Sequence, residues 1–311
     1  MTSTPLSDLL GDPDLVGEEA FADLVGHGPV ELARLRVDIP RLRPVLVALA
    51  ARAAGADRVG DEAQYAAEAL GVALRMHDLA LGREGGLRRR VARKFVRPAV
   101  TWLAAQQVSV RAMELARAAR PEIMGDAVDV LRSFADAQAT CENLRGRVPR
   151  RGDWLDHAES HSGALFAFSC RAGAHVAGAS PSSVAALGRY GQHLGRLWHV
   201  LEDAALLRHE PARFAMRAVA GRPVLPVVIA AELDPTLGDA WTRLSASGDE
   251  VEAAELARRV LESGALATAA GLAAQESWAA RRALATLPDT AARVRLDDVA
   301  AALARTLRDA E

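Results

Sequence analysis

Apolar residues recur every three or four positions over most of this chain, and that period predicts helices rather than strands. The stretches run over 31–54, 62–80, 100–119, 123–144, 155–177, 182–207 and 251–287. Ala, Leu, Arg and Glu fill them, and all four are good helix formers. One β-rich run, Val224 to Ile229, contains Pro226 and leads into Ala-Ala-Glu, so it reads as the start of a helix. Breakers fall between the stretches: Gly82 to Gly86, Gly146 to Gly152, Ser180-Pro181 and Pro288-Asp289. With no shift in composition and no repeat, the pattern predicts one large all-α bundle over residues 1–311, with 1–28 as an N-terminal extension. The five scattered tryptophans, among them Trp102 and Trp278, read mostly as core.

Composition narrows the function classes. Of 311 residues, 50% are hydrophobic and 25% charged, enough to bury a core. Thirty-eight cations against 40 acids leave a net charge of −2, which argues against a nucleic-acid or anionic-membrane coat as the main role. Lys94 is the only lysine. No secretory signal and no membrane span is readable, and Cys141 and Cys170 make neither a disulfide framework nor a zinc pair by spacing, so a reducing cytoplasmic setting is expected.

Chemistry should sit where polar residues interrupt apolar helices, because an unpaired buried acid is costly. Two places qualify: Leu74 to Ala80, which holds His77 and Asp78, and Leu194 to Leu206, which holds His199, Glu202 and Asp203. His157 and His161 are four apart, and His199 precedes Glu202 by three, so each pair shares a helix face. Imidazole with carboxylate suits a transition metal or proton transfer better than magnesium.

Five segments in order carry a family resemblance. They are Arg41-Leu42-Arg43-Pro44, His77-Asp78, Ser162-Gly163-Ala164-Leu165-Phe166, Gly191 to Leu206, and Gly221-Arg222-Pro223-Val224-Leu225-Pro226. Together they resemble the trans-isoprenyl diphosphate synthases, or polyprenyl synthetases. That resemblance implies the isoprenoid synthase fold, a helical bundle around a central cavity. It also implies a prenyl diphosphate substrate, with magnesium held by two Asp-Asp-x-x-Asp motifs and no organic cofactor. Carried over position by position, it makes Asp78, Glu202 and Asp203 the metal-binding and catalytic acids. Arg41, Arg88, Arg89 and Arg222 become diphosphate contacts. Ala73, Leu74, His161, Trp198 and His199 would line the pocket.

The departures are as informative. Leu79, Gly82 and Leu206 stand where the family has aspartates, and His161 and Arg222 stand where it has lysines. Losing several pre-organised charges, each worth on the order of 100-fold in rate, predicts weak or absent chain elongation. Three readings follow. One is a divergent enzyme that transfers or cyclises a prenyl diphosphate. Another is a non-catalytic partner of an active synthase, as a homodimer or heterodimer. The third is a repurposed pocket with a His/carboxylate metal site.

Overall fold

The computed structural model describes residues 42–81 and 98–308. Among these the chain is helical, and the helices follow in order. They are α1 (Leu42–Ala53), α2 (Asp61–Ala80), α3 (Pro98–Ala119), α4 (Pro121–Leu144) and α5 (Arg151–Ala158). A single π-helical turn (Glu159–Gly163) runs into α6 (Ala164–Val176). After it come α7 (Pro181–His209), α8 (Pro211–Val219), α9 (Leu225–Leu233) and α10 (Pro235–Ser247). The series closes with α11 (Glu250–Glu262), α12 (Ala265–Ala283), a 3₁₀ turn (Leu284–Thr286) and α13 (Ala291–Arg308).

Proline opens many of these helices, where its missing N–H costs nothing. Ser180 caps α7 by accepting from the Ser183 N–H, and Asp249 caps α11 by accepting from the Val251 and Glu252 N–H groups. The Val224–Ile229 run does begin a helix. The expected 251–287 helix is two helices, because Gly264 adopts φ 78° and turns the chain between α11 and α12. The expected 155–177 helix is continuous in path but takes a π-helical turn near its start. Trp102 and Trp278 are 46% and 60% exposed, not core; each stands on the outer side of a helix whose other residues do the packing.

Two apolar clusters build the interior. One joins α2, α3 and α4 through residues such as Leu70, Ala105, Ile123 and Phe134. The other joins α7 to the helices after it through Leu194, Leu197, Phe214, Val228 and Trp241. Helix α6 serves both: Leu165 and Phe168 face the first cluster, Phe166 and Cys170 the second. Ala73 and Leu74 are packed into the first. No described helix is long and apolar enough to cross a membrane.

Helix α7 lies unusually close to α6 and the π-turn. A Cβ on Gly191 would sit 2.4 Å from the Phe166 carbonyl oxygen, and one on Gly195 2.4 Å from that of Ser162. Both obstacles are backbone, so they cannot swing aside. Gly191→Ala should therefore cost at least about 2 kcal/mol in denaturant unfolding. An unchanged midpoint would contradict this packing.

Candidate active site

The polar centre lies where elements of the two apolar clusters meet. From α2 comes Asp78, 3% exposed. From α4 comes Gln138, whose Nε2 donates to Asp78 Oδ1 at 2.8 Å. The connection between α8 and α9 supplies Arg222, which pairs with Asp78 Oδ1. His161, on the π-turn, places Nε2 3.3 Å from Asp78 Oδ2. Gly221 makes the Arg222 contact attainable. It takes φ 69°, and a Cβ there would meet the Cys141 carbonyl oxygen at 2.1 Å.

Asp203 on α7 is fully buried and equally engaged. Its Oδ2 accepts from Trp154 Nε1 at 2.8 Å and from the Leu225 N–H at 2.9 Å. Its Oδ1 accepts from Arg217 of α8 at 3.2 Å. Glu202 is the least enclosed of the three acids, 29% exposed, with Oε2 3.9 Å from His199 Nδ1.

Between the aspartates stand three histidines. Ring centroids are 5.3 Å apart for His157 and His199, 5.5 Å for His157 and His161, and 6.1 Å for His161 and His199. Cys141 Sγ lies 3.5 Å from His157 Nδ1, and Ser162 Oγ lies 3.0 Å from His199 Nδ1. Trp198 is half-buried against Phe166, with centroids 6.0 Å apart. Arg41, Arg88 and Arg89 lie outside the described residues, as does Gly82.

Electrostatics follow from this packing. Burial pushes Asp78 upward, but Arg222 and His161 outweigh it and hold the carboxyl well below the usual range. For Asp203 burial wins over Arg217, the Leu225 N–H and Trp154, and raises it to about 6. Burial drives His157 and His199 far below their ordinary value, and the neighbouring cations add to this, so both rings are neutral.

Magnesium, which the resemblance implies, needs carboxylate oxygens with free lone pairs in facing positions. Here Asp78 and Asp203 are each buried and paired with an arginine, and Asp78 Oδ1 and Asp203 Oδ2 each accept two hydrogen bonds from the chain itself. Glu202 stands without a second available acid. Among the described residues no group of three or more His, Cys, Asp or Glu side chains is placed, as the side chains stand, to hold a metal ion. The residues therefore do not fit a magnesium cluster.

Sequence reasoning found Asp78, Asp203, Arg222 and the histidines. It missed Gln138 and Arg217 as partners. Gln138 signals itself as an amide in a largely buried helix stripe. Arg217 lies on α8, a short helix that falls outside the periodic stretches.

No known family profile matches the sequence, and no curated protein does. Solved structures do resemble it. A polyprenyl synthase from Caulobacter crescentus, complexed with calcium and isoprenyl diphosphate, matches with a TM-score of 0.77 at 23% identity, over 96% of this chain and 93% of that one. A geranylgeranyl pyrophosphate synthetase from Geoglobus acetivorans matches with a TM-score of 0.76 at 20% identity, over 96% and 98%. A polyprenyl synthetase from Streptomyces coelicolor matches with a TM-score of 0.74 at 23% identity, over 96% and 95%. The chain therefore has the all-α isoprenoid synthase fold.

Two outcomes test the site. Removing one member of a buried ion pair strands the other, so Arg222→Met should cost about 3 kcal/mol or more, and Asp78→Asn in the same chain should recover part of it in a double-mutant cycle. Strict additivity would contradict the pairing. The second outcome is a pH dependence. His157 and His199 are depressed in the fold, so their contribution is present above the ordinary value of 6.5 and is lost as pH falls. Asp203 is raised, so its term acts oppositely between about 4 and 6. Each group contributes at most about 1.4 kcal/mol per pH unit, and two histidines outweigh one aspartate. The unfolding midpoint should fall as pH drops from 6.5 toward 4, and more steeply in Asp203→Asn. A midpoint that rose over that range would contradict the buried neutral pair.

Proposed function

We propose that this chain is a synthase-fold protein that does not perform magnesium-assisted prenyl elongation and instead serves as the partner subunit of a synthase that does. The observation that carries the reading is the engagement of both aspartates. Asp78 and Asp203 are the acids the resemblance assigns to metal, and both are buried and spent on Arg222, Arg217, Trp154, Gln138 and a backbone N–H. Departure of a diphosphate leaving group needs its developing charge neutralised by divalent ions. Leu79, Gly82 and Leu206 remove the acids that could compensate.

Pairing is supported by α3. Trp102, Leu103 and Val110 are 46%, 58% and 56% exposed. Leu103, Val110 and the aliphatic parts of Gln107 and Glu114 share one face, which makes an apolar stripe with polar edges, the composition of a protein interface.

A second reading keeps the chain as a transferase or cyclase acting on a prenyl diphosphate. Arg217 and Arg222 favour it, since guanidiniums are suited to gripping diphosphate oxygens.

Turnover separates the two. Purified alone with magnesium, isopentenyl diphosphate and an allylic diphosphate, the chain should yield no elongated product. Mixed with a polyprenyl diphosphate synthase that has both aspartate motifs intact, it should co-elute and raise that enzyme's rate. Leu103→Asp with Val110→Asp should abolish the effect. Product from the chain alone would instead establish the second reading.

A further inference from the structure

Outside the polar centre, one cluster of ionisable side chains is built around a single nitrogen with two incompatible partners. His193 Nδ1, on α7, lies 2.8 Å from Glu276 Oε2 of α12 and 2.7 Å from Arg196 Nη2, one turn further along α7. A carboxylate oxygen only accepts and a guanidinium N–H only donates. With a bare lone pair, Nδ1 accepts from Arg196 and opposes Glu276. With a proton, it donates to Glu276 and opposes Arg196. The two states exclude each other, and the proton chooses between them. The His193 side chain is 26% exposed, so the ring is open to solvent protons.

Arg196 carries that choice to the π-turn. Its Nε donates to Glu276 Oε2 at 3.1 Å and its Nη1 to Glu159 Oε2 at 2.9 Å. Glu159 opens the π-turn, and its other oxygen accepts from Gln192 Nε2 of α7 at 2.6 Å. The same turn bears His161, which faces Asp78, and Ser162, which faces His199. Single π-turns inside α-helices occur often at functional sites. Helix α7 also lies against the turn at Gly195, over the Ser162 carbonyl. Helices α6, α8 and α13, which pack on α7 as well, direct their charges elsewhere: Arg171 and His175 to Asp126, Arg217 to Asp203, and Asp297 to Arg281. Glu276, Glu159 and Arg196 are therefore the charges that bear on His193.

We propose that His193 and Arg196 form a proton-operated latch on the π-turn. While the imidazole is neutral, Arg196 bridges α12 to Glu159 and holds the turn, with His193 accepting from its third nitrogen. On gaining a proton the imidazole takes Glu276, and the guanidinium, now beside a like charge, is displaced from that side. The tie from α12 to the turn is thus made while His193 is neutral and lost as it protonates. The effector is the proton, and the element released is the one that sets His161 against Asp78. The latch stands on the geometry between α7, α12 and the turn, and goes beyond the partner-subunit reading without resting on it.

Imidazole ¹⁵N and backbone amide spectra of the full chain, recorded from about pH 8 to 5, read both ends of the latch. His193 Nδ1 should pass from the shift of an unprotonated acceptor to that of a protonated nitrogen. Amide signals of residues 159–163 should move with the same midpoint. Asp203, raised to about 6, titrates in the same range and is followed separately at the Trp154 indole N–H, which donates to it. His193→Gln should abolish the movement at 159–163 and leave the Trp154 step in place. Arg196→Gln should leave His193 titrating but uncouple the turn from it. Should that variant fail to fold, Arg196→Lys, which keeps the charge without the planar fork, should uncouple them in the same way. Signals at 159–163 that stay still while His193 titrates would overturn the latch. So would an unchanged movement of the turn in folded His193→Gln, or coupling that survives in the arginine variant. None of these results bears on prenyl turnover, so failure here leaves the partner-subunit reading to its own test.

Discussion

Two buried aspartates hold one short piece of chain. Asp78 on α2 takes Arg222, and Asp203 on α7 takes the N–H of Leu225, three residues further on. The connection between α8 and α9 is thereby tied to both sides of the bundle at once. Arg217 at the end of α8 adds a third tie, to Asp203. A carboxylate buried without such partners would be driven out or neutralised, so the arginines and the aspartates stand or fall together. The rest of the polar centre is arranged around this grip: Gln138, Trp154 and His161 fill the remaining acceptor positions.

That constraint bears on the divalent ions that the sequence resemblance implies. A carboxylate whose charge is balanced by an internal guanidinium attracts a metal ion less, and Asp78 and Asp203 each face an arginine. Within the polar centre the charges of Asp78 and Asp203 are balanced by Arg222 and Arg217. Burial does the remainder. It favours close pairing, keeps His157 and His199 uncharged, and lets α6 and α7 approach over Gly191 and Gly195.

Much of the architecture was legible in the chain. Periodicity located most helices, and five ordered segments pointed to the fold that the solved structures share. The breaks at Gly264 and across the π-turn were not legible. A glycine inside an apolar period is tolerated as often as it breaks, and a π-turn adds one residue without changing composition. At the site, the acids and histidines declared themselves as polar residues in apolar helices. Their partners did not, because Gln138 lies 60 positions and Arg222 144 positions from Asp78. Whether an acid is free or spent depends on such distant pairs. The resemblance names Asp78 and Asp203 as metal ligands, whereas the packing makes them anchors.

The most direct measurement follows the two carboxyl groups themselves. With ¹³C-labelled aspartate, the side-chain carboxyl signals of Asp78 and Asp203, assigned by Asp→Asn substitution, are recorded as magnesium and then an allylic diphosphate are added. The account predicts that neither signal moves, and that Asp78 remains ionised to pH values below those at which ordinary carboxylates protonate. Saturable shifts of both signals with magnesium would mean that the arginines yield to the metal, and would contradict it.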